Sequence, residues 1–183
     1  MADNYSRDAY HLSIAGKRNY QPLRENNFEL VIDFSNTLGM KGFAQEDSDN
    51  IKVGVISCNA PHFRLNEVGV RRFNSQVYYA GTPEFSSDTI RINDFYGKSG
   101  KSGVMRWLAC AYDVDNDAIN DADNYMATAT LTELKPNGDI VRTWRLENCW
   151  IQSIQDDTFN AESNSKKTFS ATMRYDRAYP IEL

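Results

Sequence analysis

At 183 residues and 20.9 kDa the chain has the size of one ordinary domain, and at that mass roughly 70% of the unfolded surface can be hidden in a core. Twenty basic against 25 acidic side chains leave a formal charge of −5, which argues against a protein built to grip phosphates. Three cysteines (Cys58, Cys110, Cys149) without C-x-x-C spacing argue against a disulfide framework and for a reducing cytoplasm, and no apolar run approaches the ~20 residues of a membrane span.

Residues 1 to 26 are polar, with charges among small residues and tyrosines and no period that fixes a helix or strand; they read as an arm, and residues 27–183 as a single domain. From Asn27 the pattern alternates strictly, with Phe28, Leu30, Ile32 and Phe34 on one face of a half-buried strand. A polar loop from Ser35 to Asn50 leads to a second alternation through Ile51, Val53 and Val55, stopped near Pro61. Val68, Val70, an irregularity at Arg71-Arg72-Phe73, then Val77 and Tyr79 predict a long strand or bent ribbon ending at Gly81.

Thr89 to Phe95 predicts another strand. The period then changes: Val104, Trp107, Leu108, Ala111 and Tyr112 fall at helical spacing, with Ser99 or Ser102 able to cap the first turn. Ala127 to Leu134 and Ile140 to Ile154 flank a turn built on Pro136, Asn137 and Gly138, which predicts a hairpin. A final strand alternates through Phe169, Ala171, Met173 and Tyr175. About seven strands and one helix predict a mainly β (α+β) fold, a small two-sheet β-sandwich or barrel with one flanking helix and a long β-ribbon.

Chemistry-bearing motifs fall short of their requirements. Gly97-Lys98-Ser99-Gly100-Lys101-Ser102 lies between a strand and a helix, but the glycine a phosphate-cradling loop needs five positions before Gly100 is Phe95. Asp113, Asp115 and Asp117 match the first places of a calcium loop, whose sixth and twelfth places hold Ala118 and Asn124 instead of glycine and glutamate. His11 and His62 cannot make a three-histidine zinc centre, and nothing orients Cys58 and His62 as nucleophile and base. No catalytic, cofactor or metal residue is expected, and no enzyme. The acidity is local, since Asp113, Asp115, Asp117, Asp121 and Asp123 occupy one stretch without a base. Arg71 and Arg72 point to opposite faces of their strand and suit ion pairs.

The element order resembles the tail tube (inner tube) proteins of contractile-tailed bacteriophages. The words that carry it are the strand Arg24 to Asp33, Asn59-Ala60-Pro61, Val68-Gly69, Asn74, Ala80-Gly81, the step from Asp88–Ile92 to Val104–Leu108, and Leu146 to Ile151. The likeness implies a fold similar to the hexameric tube protein of type VI secretion, with rings of six stacked into a conduit for DNA ejection. It implies a virion tail protein assembled in the bacterial host cytoplasm. Its partners would be itself, the tail sheath, baseplate and tail terminator proteins, while tape measure protein and DNA pass through the lumen without specific binding. Val68, Val70, Arg71, Arg72, Phe73, Val77 and Tyr79 would form the subunit-contact ribbon, and the five aspartates a loop facing lumen or sheath. A baseplate tube initiator or a bacteriocin or secretion tube component is an alternative. So is a soluble β-barrel module lining a ligand pocket with Trp107, Trp144 and Trp150.

Overall fold

The structure, a computed structural model, describes residues 23–162 and 164–182, so His11 and most of the arm expected over residues 1–26 lie outside it. Its centre is a seven-stranded sheet in the order β1 (Phe28–Asp33), β8 (Ala127–Leu134), β9 (Ile140–Asp156), β10 (Thr168–Arg174), β5 (Asp88–Asn93) and β2 (Val55–Ser57), with β11 (Arg177–Glu182) on β9. All pairings are antiparallel, and the sheet curls into a half-barrel. The 17-residue β9 makes this possible. It pairs β8 and β11 through its first part and β10 through its last, and the change falls beside Asn148, at φ 55°. The fold is mainly β, as the sequence predicts.

The inward faces are those the alternation predicts. Leu30, Ile32 and Phe34 from β1 and its end, and Phe169, Ala171 and Met173 from β10, are buried with Ile90 and Ile92 of β5. The expected helix is present over Gly100–Ala111, here α2. Trp107 anchors it, stacked edge-on to Phe34 with centroids 5.0 Å apart and its indole N–H donating to the Tyr125 carbonyl. Ser99 occupies the N-cap position without capping; its hydroxyl donates to Asp94 Oδ1 at 2.6 Å.

Three expectations need correction. The polar loop and second strand expected from Ser35 through Val55 are mostly helix: α1 covers Ala44–Gly54, and only Val55–Ser57 is strand. Among the described residues the fold therefore has two long helices and not one. The helical period was hidden because two inward positions of α1 are polar. Buried Asp47 is ion-paired with Arg106 of α2, and buried Ser48 donates to the Ile32 carbonyl. Gly103 permits the close crossing, since a Cβ there would stand 3.1 Å from that of Asp47. The unpredicted strand β11 carries Pro180, which its edge position tolerates. Finally, the long strand or bent ribbon expected to end at Gly81 is a hairpin running on to Phe85, β3 (Phe63–Arg72) and β4 (Ser75–Phe85).

Between α2 and β8 the acidic stretch makes a small hairpin, β6 (Tyr112–Asp113) with β7 (Ala118–Ile119), and one helical turn, α3 (Ala122–Tyr125). Among the described residues no helix is long and apolar enough to cross a membrane.

Candidate assembly surface

The hairpin β3–β4 forms a two-stranded sheet of its own, and every residue of β3 is exposed. Nine paired positions would suit a buried sheet, yet an isolated two-stranded ribbon is marginal in water. Its register places Val68 opposite Tyr79 and Val70 opposite Val77. Cross-strand partners share a face, so these four residues make one apolar patch, with Arg72 at its end donating to the Tyr79 hydroxyl at 3.1 Å. The tip is Phe73, at φ 52° and 98% exposed.

A bulge divides the ribbon. Leu65 faces Pro83 but Glu67 faces Ala80, so β4 carries one extra residue, near Gly81, where any Cβ would lie 2.7 Å from the Asn66 carbonyl oxygen. Beyond the bulge the apolar face is that of Val68, Val70, Val77 and Tyr79. On the near side it is the opposite one, that of Phe63, Leu65, Pro83 and Phe85. Phe63 stacks on Phe85 at 5.4 Å, and Phe85 meets Tyr175, just after β10, at 6.3 Å. The ribbon thus offers apolar surface on both faces, at different distances from the sheet.

Its root holds a buried carboxylate. Asp88, 4% exposed, accepts the Asn59 backbone N–H at 3.0 Å and ties the loop before β3 to β5. Burial pushes its carboxyl up to about 6, against the opposing pull of the Asn59 and Thr89 N–H groups, the Asn59 side chain and His62. Burial, then the Asp88 charge, pushes the neighbouring Cys58 thiol up to about 12, the reverse of what a nucleophile paired with His62 needs.

All seven ribbon residues singled out in the sequence lie on this hairpin. Arg71 and Arg72 point to opposite faces, and neither forms an ion pair among the described residues. The aspartates are split by role. Asp113 accepts the N–H groups of Asp115 and Asn116 and the Asn116 side-chain amide, which lowers its carboxyl pKa, and Asp117 accepts the Tyr112 hydroxyl. The side chains of Asp115, Asp121 and Asp123 make no such bond among the described residues. Lys101 of the glycine-rich turn is committed to Asp156 at 2.6 Å. Beside it runs a groove of about 450 Å³ lined by Met105, Leu108, Tyr112, Val114 and Ile154, which the sequence reading missed because two of these positions belong to the helix's expected apolar stripe. The tryptophans are dispersed: Trp107 is in the core, Trp144 donates to Glu133, and Trp150 packs on Tyr125.

No protein-family model matches the sequence, and no curated protein matches it. Solved structures do. A chain of the sheath-tube complex of the extracellular contractile injection system PVC, in its extended state, matches with a TM-score of 0.64 at 15% identity, covering 100% of both chains. The fold is contractile tail-tube-like. A chain from the PVC sheath/tube terminator structure matches at 0.65 and 15% identity over 88% of this chain and 98% of that one. One from the tube-terminating cap of the anti-feeding prophage matches at 0.63 and 15%, over 88% and 91%.

Proposed function

We propose that this chain is a structural tube protein whose copies form stacked hexameric rings, the inner tube of a contractile tail or related injection machine. The observation that carries the reading is the ribbon, a long hairpin whose apolar residues its own sheet leaves uncovered, on a fold shared along the whole chain with a sheath-tube complex. Monomeric proteins rarely leave such a surface open. In a ring, copies on either side cover the two apolar faces, and exposed strand edges find partners that a monomer denies them.

In this assembly Val68, Val70, Val77, Tyr79 and Phe73 contact neighbouring copies, with Arg71 and Arg72 pairing across the interface. The acidic hairpin faces either the lumen or the sheath. A negative lumen wall suits a DNA conduit, because phosphates are repelled where a basic wall would hold them by counterion release. The machine is a phage virion tail, put together in the bacterial cytoplasm with sheath, baseplate and terminator proteins. The similar scores of the terminator and cap chains support a second reading, a component that starts or ends the tube.

Negative-stain microscopy of the purified protein, concentrated and with a starter complex, tests both. Rings that stack without limit are expected of a tube protein, and rings that stop at one or two layers of a terminator or initiator. A species monomeric under every condition contradicts both.

A further inference from the structure

The half-barrel is left open along one seam. Its terminal strands, β1 and β2, each lack a second strand neighbour among the described residues. Helix α1 covers part of the gap, held to β1 by the Ser48 bond to the Ile32 carbonyl and by a 2.7 Å ion pair between Lys52 and Glu29. Past the helix lies a groove of about 570 Å³, with Leu23, Phe28, Leu131 and Leu134 on the β1 side and Ile56 and Cys58 on the β2 side. Asn27 lines it too, and its side-chain Nδ2 is buried without a hydrogen-bond partner among the described residues. Apolar walls, an unused donor and two open backbone edges suit a length of polypeptide.

The course of the chain says whose. The Asn27 N–H donates to the Arg24 carbonyl at 3.2 Å and closes a turn over Glu25 and Asn26. The chain therefore reverses just before β1, and Leu23, where the described part begins, already lines the groove. Residues 1–22 are connected to the seam at its rim. An extended segment needs about six residues to run alongside the six of β1, so their length is ample. They also carry apolar side chains in an otherwise polar stretch: Tyr10, Leu12 and Ile14 alternate with His11 and Ser13, and Tyr20 stands three positions before Leu23.

We propose that the seam between β1 and β2 is a docking site for the chain's own residues 1–22. The arm then closes the half-barrel from within one subunit, and its apolar side chains fill the groove beside Phe28 and Ile56. This holds for the monomer and does not depend on ring formation.

Two measurements on dilute protein, at a concentration where light scattering gives the monomer mass, test it. A photo-crosslinking residue in place of exposed Ser57 on β2 is expected to link, within one chain, to a peptide from residues 1–22. Links between chains, or only to residues after 22, overturn the proposal. Hydrogen exchange at β1 and β2 is expected to be at least about tenfold slower in the full chain than in one lacking residues 2–20, with β10 as an unchanged reference. Equal exchange overturns it, and if the shortened chain fails to fold, the crosslink on the full chain decides alone.

Discussion

Strand β10 of the main sheet and the ribbon are made of the same kind of residues and end in opposite surroundings. In β10, Phe169, Ala171 and Met173 are fully buried, in the same core cluster as Leu30, Ile32 and Trp107. In the ribbon, Val68 is 50% exposed and Phe73 98%. Alternation announces that one face of a strand will be covered. It does not say by which molecule, and the contrast locates the surface this fold leaves to something else.

The contrast is first broken from the inside. Trp107→Ala removes the largest fully buried side chain, its stacking on Phe34 and its bond to Tyr125. It is expected to cost about 3–5 kcal/mol, read as a large fall in the urea midpoint, or to prevent folding.

Next comes the ribbon root. Because the Asp88 carboxyl is raised to about 6 from an ordinary 3.8, the folded state holds a proton that the unfolded chain releases between those values. Stability therefore falls as pH rises through that window, and the penalty is complete above about pH 6. Asp88→Asn keeps an acceptor for the Asn59 N–H and is expected to gain about 1–2 kcal/mol at pH 8, a gain that disappears below pH 4. Urea melts at the two pH values check it; an equal effect at both would mean that charge is not the cause.

The ribbon itself should leave folding almost untouched. Val70→Asp with Val77→Asp places two charges opposite each other in the distal patch, and the monomer's stability is expected to stay within about 1 kcal/mol of the parent. Assembly is expected to be lost. Sedimentation and microscopy check this, and variants that still form rings would remove the ribbon from the interface.

What was legible in the sequence follows the same division. Strands whose inward positions are mostly apolar, such as β1, β5 and β10, could be read with their faces, and so could the helix carrying Trp107. Helix α1 could not, because Asp47 and Ser48 stand where apolar residues would mark its period, and each is satisfied by a partner far along the chain. The ribbon's turn was missed because Phe73-Asn74 is not a pair that announces a two-residue turn, although Phe73 takes the positive φ of one. The root cluster had no local signal at all: Asn59, His62 and Asp88 meet only because β2, β3 and β5 converge there.

The smallest expected effect on folding belongs to the acidic segment of the small hairpin and the helical turn after it, and its five aspartates are not equivalent. Asp113 and Asp117 are spent on the loop's own geometry, the first on two backbone N–H groups and the Asn116 amide, the second on Tyr112. Replacing them by asparagine disturbs the turn as well as the charge, which confuses any functional outcome. Asp115, Asp121 and Asp123 have no such duty among the described residues, so their conversion to asparagine changes the field and little else. The triple variant is expected to melt with the parent, within error, and to form rings normally. If the hairpin faces the sheath, sheath assembly on the tube weakens at low salt and the deficit relative to the parent shrinks with added salt, because screening removes the same attraction from the parent. If it faces the lumen, sheath assembly is unchanged and the tube gains weak, salt-sensitive retention of DNA. A variant indistinguishable from the parent in rings, sheath and DNA would make the hairpin a solvated turn, and the charge of −5 would then have no part in how the tube works.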